Sequence, residues 1–255
     1  MVTLAASEHG DGPALVLLHA FPLHAGLFSG VVPRLTGWRV LTPDLRGFGS
    51  SPLGDDEPAM AAMADDVVAL MDERGIDQAV LGGVSMGGYV AMEMLRRHPG
   101  RLRGLLLVDT KAGADAAEAA AGRLATAEAV LREGSRVLTP MLDVLLGPTT
   151  RRTRPEVVAT VRRWLDEADP ATVAWALRAM ARRPESFSTL TDGGVPLAAV
   201  VGEEDALSPP ADAEAMARTR PGSAVLVVPG CGHLAVLEDP ALAAGALRSG
   251  LASLV

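Results

Sequence analysis

Gly83-Val84-Ser85-Met86-Gly87 constrains this chain more than any other stretch. It follows Gln78-Ala79-Val80-Leu81, which reads as a short buried strand, and it opens Tyr89 to His98, which reads as a helix. A serine between strand and helix, with glycine two residues before and after it, has the G-x-S-x-G pattern of a nucleophile elbow. The glycines have a steric reason. So sharp a turn strains the serine backbone and leaves no room for side chains on either side. The hydroxyl is then lifted clear of the sheet, at the positive end of the helix that follows. A glycine-rich turn carrying an incidental serine has the same pattern, so the rest of a triad decides between the two.

Taken in order, the chain alternates. Val2 to Glu8 reads as a short edge strand, Ala14 to His19 as a strand buried on both faces, and Leu27 to Leu35 as a short helix. Trp38 to Pro43 is the next strand, running into the turn-rich Asp44 to Ser51. Met60, Met63, Val67, Leu70 and Met71 repeat at helical spacing, with Pro58 in a first turn and Gly75 as the stop. Leu102 to Asp109 is another buried strand. This alternation predicts an α/β fold, a mostly parallel central sheet flanked by helices.

At Lys111 the rhythm breaks. Ala114 to Glu133, Val137 to Leu146, Pro155 to Asp166 and Ala171 to Arg182 read as helices, with no convincing strand before about Leu190. The predicted organisation is a core segment over 1–110, a helical lid inserted over 111–190, and a second core segment over 191–255. The insertion leaves the sheet at the carboxyl end of a strand, where open α/β sheets hold ligands, which favours a lid over an ordinary helical subdomain. After it, Pro196 to Gly202 and Ala224 to Val228 are strands, while Pro210 to Arg220 and Pro240 to Leu254 are helices.

Two residues now fall where a serine nucleophile needs help. Asp205 sits just past one of these strands and His233 in the loop past the other, giving the order Ser85, Asp205, His233. A hydroxyl attacks poorly until a base takes its proton. Imidazole does so near neutral pH, and a carboxylate on its far nitrogen fixes tautomer and orientation. Asp109, ending the strand after the elbow, is the rival acid. His19 reads as a structural strand-end residue, His24 and His9 as solvent-facing, and His98 as a helix-end residue favoured by the dipole. Cys231 is not placed to be a nucleophile, Ser208-Pro209-Pro210 reads as structural turn chemistry, and Trp164 and Trp175 as packing.

On these residues the chain resembles an α/β-hydrolase, and the likeness covers essentially all of it. His19-Ala20-Phe21-Pro22 stands where that superfamily carries its oxyanion loop. Asp44-x-Arg46-Gly47-x-Gly49-x-Ser51 matches the loop after the next strand, and Gly202-Glu203-Glu204-Asp205 and Gly232-His233 match the acid and base segments. Val84-Ser85-Met86-Gly87-Gly88 and Asp109-Thr110 are similar to the cofactor-free, lidded branch of 3-oxoadipate enol-lactonases and small carboxylesterases. Ala20 departs from the usual glycine, which narrows the loop's freedom without removing an amide. The short N-terminus implies a missing or minimal first strand. The resemblance implies an oxyanion hole made by the backbone amides of Phe21 and Met86, one from the loop after an adjacent strand and one following the nucleophile.

The expected activity is hydrolysis of a small to medium ester or lactone through an acyl-enzyme, with a largely apolar substrate suggested by the alanine- and leucine-rich insertion. The same triad also serves C–C bond hydrolysis or acyl transfer, and a non-catalytic ligand-binding protein is the alternative from another class. A net charge of −8 argues against nucleic acid and anionic membrane as partners. No run approaches eighteen uninterrupted apolar residues, and Met1 to Gly10 lacks the regions of a secretory signal. One cysteine fits a reducing compartment, so a cytoplasmic location is expected. Dispersed histidines give no metal-ligand spacing, and no phosphate or dinucleotide motif is present, so no cofactor is expected. No feature of the sequence specifies an oligomeric state.

Overall fold

In the computed structural model, which describes residues 1–254, the apolar runs form one seven-stranded sheet. Its strands are β1 (Ala6–His9), β2 (Ala14–Leu18), β3 (Arg39–Pro43), β4 (Ala79–Val84), β5 (Leu102–Val108), β6 (Leu197–Gly202) and β7 (Ala224–Val228). The order is β1-β3-β2-β4-β5-β6-β7, with β1 antiparallel to β3 and every other pair parallel. β4 and β6 are buried at every position. That is why they read as continuous apolar runs and not as alternating ones.

Helices cover both faces. The principal ones are α1 (Met60–Glu73), α2 (Met86–Arg97), α9 (Pro210–Ala217) and α11 (Pro240–Ala252), with a one-turn α10 (Ala235–Glu238) before the last. A Cβ on Gly83 would run into the backbone of Gly87 and Gly88, which puts α2 on that face of β4. A Cβ on Gly250 would meet Leu106, Ala198 and Val200, whereas Ala199 and Val201 pack with Ala213 of α9. Alternate residues of β6 point to opposite faces, so α11 and α9 lie on opposite sides of the sheet.

Between β5 and β6 the chain is helical: α3 (Ala117–Glu133), α4 (Leu142–Leu145), α5 (Pro148–Thr153), α6 (Pro155–Glu167), α7 (Pro170–Ala181) and α8 (Phe187–Asp192). α3 packs along α7. Two side chains of α7 tie this segment to the sheet loops. Thr172 Oγ1 donates to the Gly47 carbonyl at 3.0 Å, and Trp175 Nε1 donates to the Asp56 carbonyl at 2.8 Å.

Several local expectations are corrected. Leu27 to Leu35 is not a helix but two 3-10 turns, Ala25–Phe28 and Val32–Arg34, because Gly30 and Pro33 interrupt it. Pro58 lies outside α1, whose extended cap is Ala59. An additional short helix, α5, lies between the predicted helices, starting with Pro148 at its first position. The first strand is minimal as expected, four residues long, and starts at Ala6 where Val2 was expected. Among the described residues no helix is long and apolar enough to cross a membrane.

Candidate active site

The elbow has the strain its sequence implies. Ser85 sits at φ 53° and ψ −113°, a left-handed conformation that costs a non-glycine residue about 1–3 kcal/mol. Its amide donates to the Val108 carbonyl at 3.0 Å, and its carbonyl accepts from Gly88 N–H at 2.9 Å and Thr110 Oγ1 at 2.8 Å. A side chain on Gly87 would strike the Leu18 carbonyl. Both flanking glycines are therefore fixed by contact with backbone, not merely permitted.

Ser85, His233 and Asp205 form one hydrogen-bonded line. The Ser85 hydroxyl is 2.8 Å from His233 Nε2, and His233 Nδ1 is 2.8 Å from Asp205 Oδ2. An acid on one nitrogen and a hydroxyl on the other assign the tautomer: Nδ1–H donates to Asp205, and Nε2 accepts from Ser85. The other Asp205 oxygen accepts the Leu207 and Ser208 amides at 2.8 and 3.0 Å. His233 and Asp205 are buried. In that arrangement imidazole can take a proton from Ser85 while the carboxylate stabilises the resulting imidazolium.

Asp109, the rival acid, has another task. Its carboxylate accepts Gly202 N–H at 2.7 Å and Ala235 N–H at 3.1 Å, tying the end of β6 to the segment after His233. Complete burial, reinforced by the Asp205 charge, holds its carboxyl well above the ordinary range. Cys231 is buried, and desolvation pushes its thiol up to about 12, far from a reactive thiolate. Ser208, read as turn chemistry alone, lines the site: its Oγ donates to the Asp109 carbonyl at 3.2 Å and lies 3.4 Å from His233 Nδ1.

The other histidines divide. His19 is fully buried, Nε2 accepting Leu45 N–H at 2.9 Å and Nδ1 donating to the Ala20 carbonyl at 3.0 Å. With Asp44, which accepts the Ala25 and Ser50 amides at 2.8 and 2.9 Å, it braces the loop carrying Phe21. His98 corrects the helix-dipole reading, since its Nε2 meets Asp65 at 2.7 Å. His24 caps Gly26 N–H and packs edge-on against Trp164, away from Ser85. His9 is exposed as expected.

His19 makes a pH prediction. Burial lowers it to about 4, against about 6.5 in an unfolded chain. Between those values the unfolded state binds the extra proton, so stability is complete above pH 6.5 and falls as pH drops towards 4. The slope is about 1.4 kcal/mol per unit, roughly 3 kcal/mol in all. Denaturant midpoints at pH 7, 6, 5 and 4.5 should fall steeply in wild type and more shallowly in His19→Gln. Parallel slopes would assign the acid lability to another group.

Two glutamates hold the loops that carry His233 and Asp205 to the helical insertion. Buried Glu238 accepts Gly232 N–H and Leu234 N–H, on either side of His233, at 2.9 and 3.1 Å, and Gly147 N–H of the insertion at 2.9 Å. Glu204 accepts Thr149 N–H at 2.8 Å and its hydroxyl at 2.5 Å. The available signal was a glutamate closing the otherwise apolar Leu234-Ala235-Val236-Leu237.

A cavity of about 240 Å³ at Ser85 and His233 is lined by Phe21, Tyr89, Leu207 and Ser208 together with Lys111, Arg123, Met141, Val144, Leu145 and Met180 of the helical segment. Its volume is below the ~300–1,000 Å³ of drug-sized ligand sites, which suits a small substrate. Among the described residues, neither the Phe21 nor the Met86 amide donates to a protein acceptor. A second cavity of about 370 Å³, beyond the edge-on Phe21–Phe48 pair, is lined by His24, Asp44, Trp164, Glu167 and Asp169, and neither Ser85 nor His233 reaches it. Among the described residues no group of three or more His, Cys, Asp or Glu is placed to hold a metal ion.

With this geometry established, comparison with known proteins is informative. A family model described as alpha/beta hydrolase fold matches residues 13–240. A thermophilic esterase from Thermogutta terrifontis, solved with malate bound, superposes with a TM-score of 0.95 at 40% identity, over 99% of this chain and 94% of that one. The pimeloyl-[acyl-carrier protein] methyl ester esterase of Aromatoleum aromaticum is 31% identical over 89% of this chain and 94% of its own. Its namesake in Aeromonas hydrophila is 38% identical, over 42% of this chain and 41% of its own length. The enol-lactonase of Burkholderia xenovorans shares the fold, with a TM-score of 0.90 at 22% identity over 98% of this chain and 97% of that one.

Proposed function

The chain belongs to the alpha/beta hydrolase fold family, and from that premise we propose that it is a serine hydrolase cleaving a small carboxylic ester or lactone through an acyl-enzyme. The observation that carries this reading is the buried line from Asp205 through His233 to Ser85, with 2.8 Å at both links. His233 takes the Ser85 proton as Oγ attacks the substrate carbonyl. The Phe21 and Met86 amides donate to the tetrahedral oxyanion, each worth about 3–4 kcal/mol by analogy with other hydrolases. His233 then gives its proton to the leaving alkoxide, whose bond to the carbonyl carbon breaks. A water, deprotonated by His233, attacks the acyl group, and Ser85 recovers its proton as the acid departs.

Residues 111–190 act as the lid in this scheme. Their Arg123, Met141, Val144, Leu145 and Met180 roof the cavity, and Glu204 and Glu238 anchor them to the acid and base loops. The esterase relatives, covered nearly end to end, support ester hydrolysis as the reaction class. The test is mass spectrometry of the intact protein after a fluorophosphonate probe. One adduct, lost in His233→Ala, is expected. No adduct on folded protein would leave the serine unactivated and favour the ligand-binding alternative.

A further inference from the structure

A chain with a net charge of −8 places two cations and no carboxylate on the walls of its Ser85 cavity. One is Lys111, the only lysine in the sequence, at the junction where the insertion leaves β5. Among the described residues its ammonium joins no ion pair and donates no hydrogen bond, although most arginines here are so engaged. The other is Arg123, whose Nε donates to Asp115 at 2.5 Å. Arg183 claims the same Asp115 oxygen at 2.9 Å and lies over the Tyr89 ring, 4.0 Å from its centroid. One carboxylate thus serves two guanidiniums, and this wall keeps a surplus of positive charge.

An acidic group within electrostatic reach of Lys111 is Asp212, near the start of α9. It forms no ion pair with Lys111 among the described residues, and burial raises its carboxyl above the ordinary range while the Lys111 charge opposes that shift. Around the cations the cavity is apolar, with Met141, Val144, Leu145, Met180 and Leu207. A charge-assisted hydrogen bond formed there is less screened than one on open surface. The expectation of a largely apolar substrate accounts for those side chains and leaves Lys111 without a task.

We propose that Lys111, with Arg123 on the same cavity, is a specificity-determining residue that selects small esters carrying a carboxylate remote from the scissile bond. The inference rests on Ser85 being the nucleophile and adds the charge of the substrate it receives. A charged hydrogen bond of ordinary strength corresponds to a preference of about ten- to hundredfold.

The experiment compares kcat/KM for isosteric pairs. Monomethyl glutarate against methyl 5-methylhexanoate places the carboxylate on the acyl side, and acetoxyacetate against isobutyl acetate places it on the alcohol side. Wild type should prefer the anionic member of one pair at least tenfold. Lys111→Met should abolish the ratio, Lys111→Glu invert it, and Lys111→Arg largely keep it. Binding of monomethyl glutarate and methyl 5-methylhexanoate to Ser85→Ala, followed by calorimetry, supplies a readout that needs no turnover. Turnover of both members without preference, or a preference that survives Lys111→Met, would overturn the inference and leave the hydrolase reading standing. Monomethyl glutarate binding that is lost in Lys111→Met, without turnover of any ester, would instead keep the anion site and sink the hydrolase reading. Equal binding of these two esters without turnover would end both.

Discussion

Ser85→Ala is expected to lower kcat for any ester substrate by about 10⁶-fold, with folding and substrate binding retained. The size follows from the geometry. Only the Ser85 hydroxyl meets the free imidazole nitrogen, at 2.8 Å, and no other group in the cavity can inherit its role. Ser208 is the other hydroxyl on the wall, but it lies 3.4 Å from Nδ1, the nitrogen already engaged by Asp205. Cys231 is buried with its thiol pushed up to about 12. His233→Ala should cost about as much, and the double variant little more, because the two residues act as one unit. Single-turnover kinetics on purified variants measure this. Ser85→Ala retaining more than about 1% of the wild-type rate would place the nucleophile elsewhere.

Much of the fold was legible because it rests on local rules. Leu15 to Leu18, Val80-Leu81 and Leu105 to Val108 are apolar without alternation because both sheet faces are covered, and that pattern survives in the sequence. The elbow was legible for the same kind of reason. Gly83 and Gly87 are forced by backbone contacts four and five residues away or on the neighbouring strand. What escaped depends on distant partners. Glu238 reads as the end of an apolar turn until Gly147, 91 positions earlier, is seen donating to it. His98 reads as a helix end until Asp65 is placed 2.7 Å from its ring. Lys111 reads as a junction residue, because nothing in its neighbours signals that Arg123, Met141 and Leu207 converge on the same cavity.

The Asp44-Arg46-Ser51 motif lies between these cases. Its spacing was recognisable, but its task emerges only from the contacts. Arg46 is buried in a bidentate pair with Asp66, at 2.7 and 2.9 Å, while Ser51 Oγ donates to the Asp44 carbonyl at 2.6 Å. Asp44 in turn accepts Ala25 N–H, and His19 accepts Leu45 N–H. The motif is therefore a brace for the loop bearing Phe21.

Asp205→Asn is expected to lower kcat about 10⁴-fold, while Asp109→Asn should change kcat of the folded protein less than about tenfold and instead destabilise it. The two aspartates are close enough for Asp205 to raise Asp109, so sequence position and charge alone do not separate them. Their hydrogen bonds do. Asp205 accepts from His233 Nδ1, and an amide there would present its NH₂ or stabilise the wrong tautomer, removing the lone pair that Ser85 needs on Nε2. Asp109 accepts only backbone amides, from Gly202 and Ala235, and asparagine would set an N–H₂ against one of them, at a cost of about 1–3 kcal/mol. Rates normalised to the titrated folded fraction, together with denaturant midpoints, separate the effects. A large kcat loss in Asp109→Asn beside a nearly active Asp205→Asn would reverse the assignment of the acid and require His233 to turn towards β5.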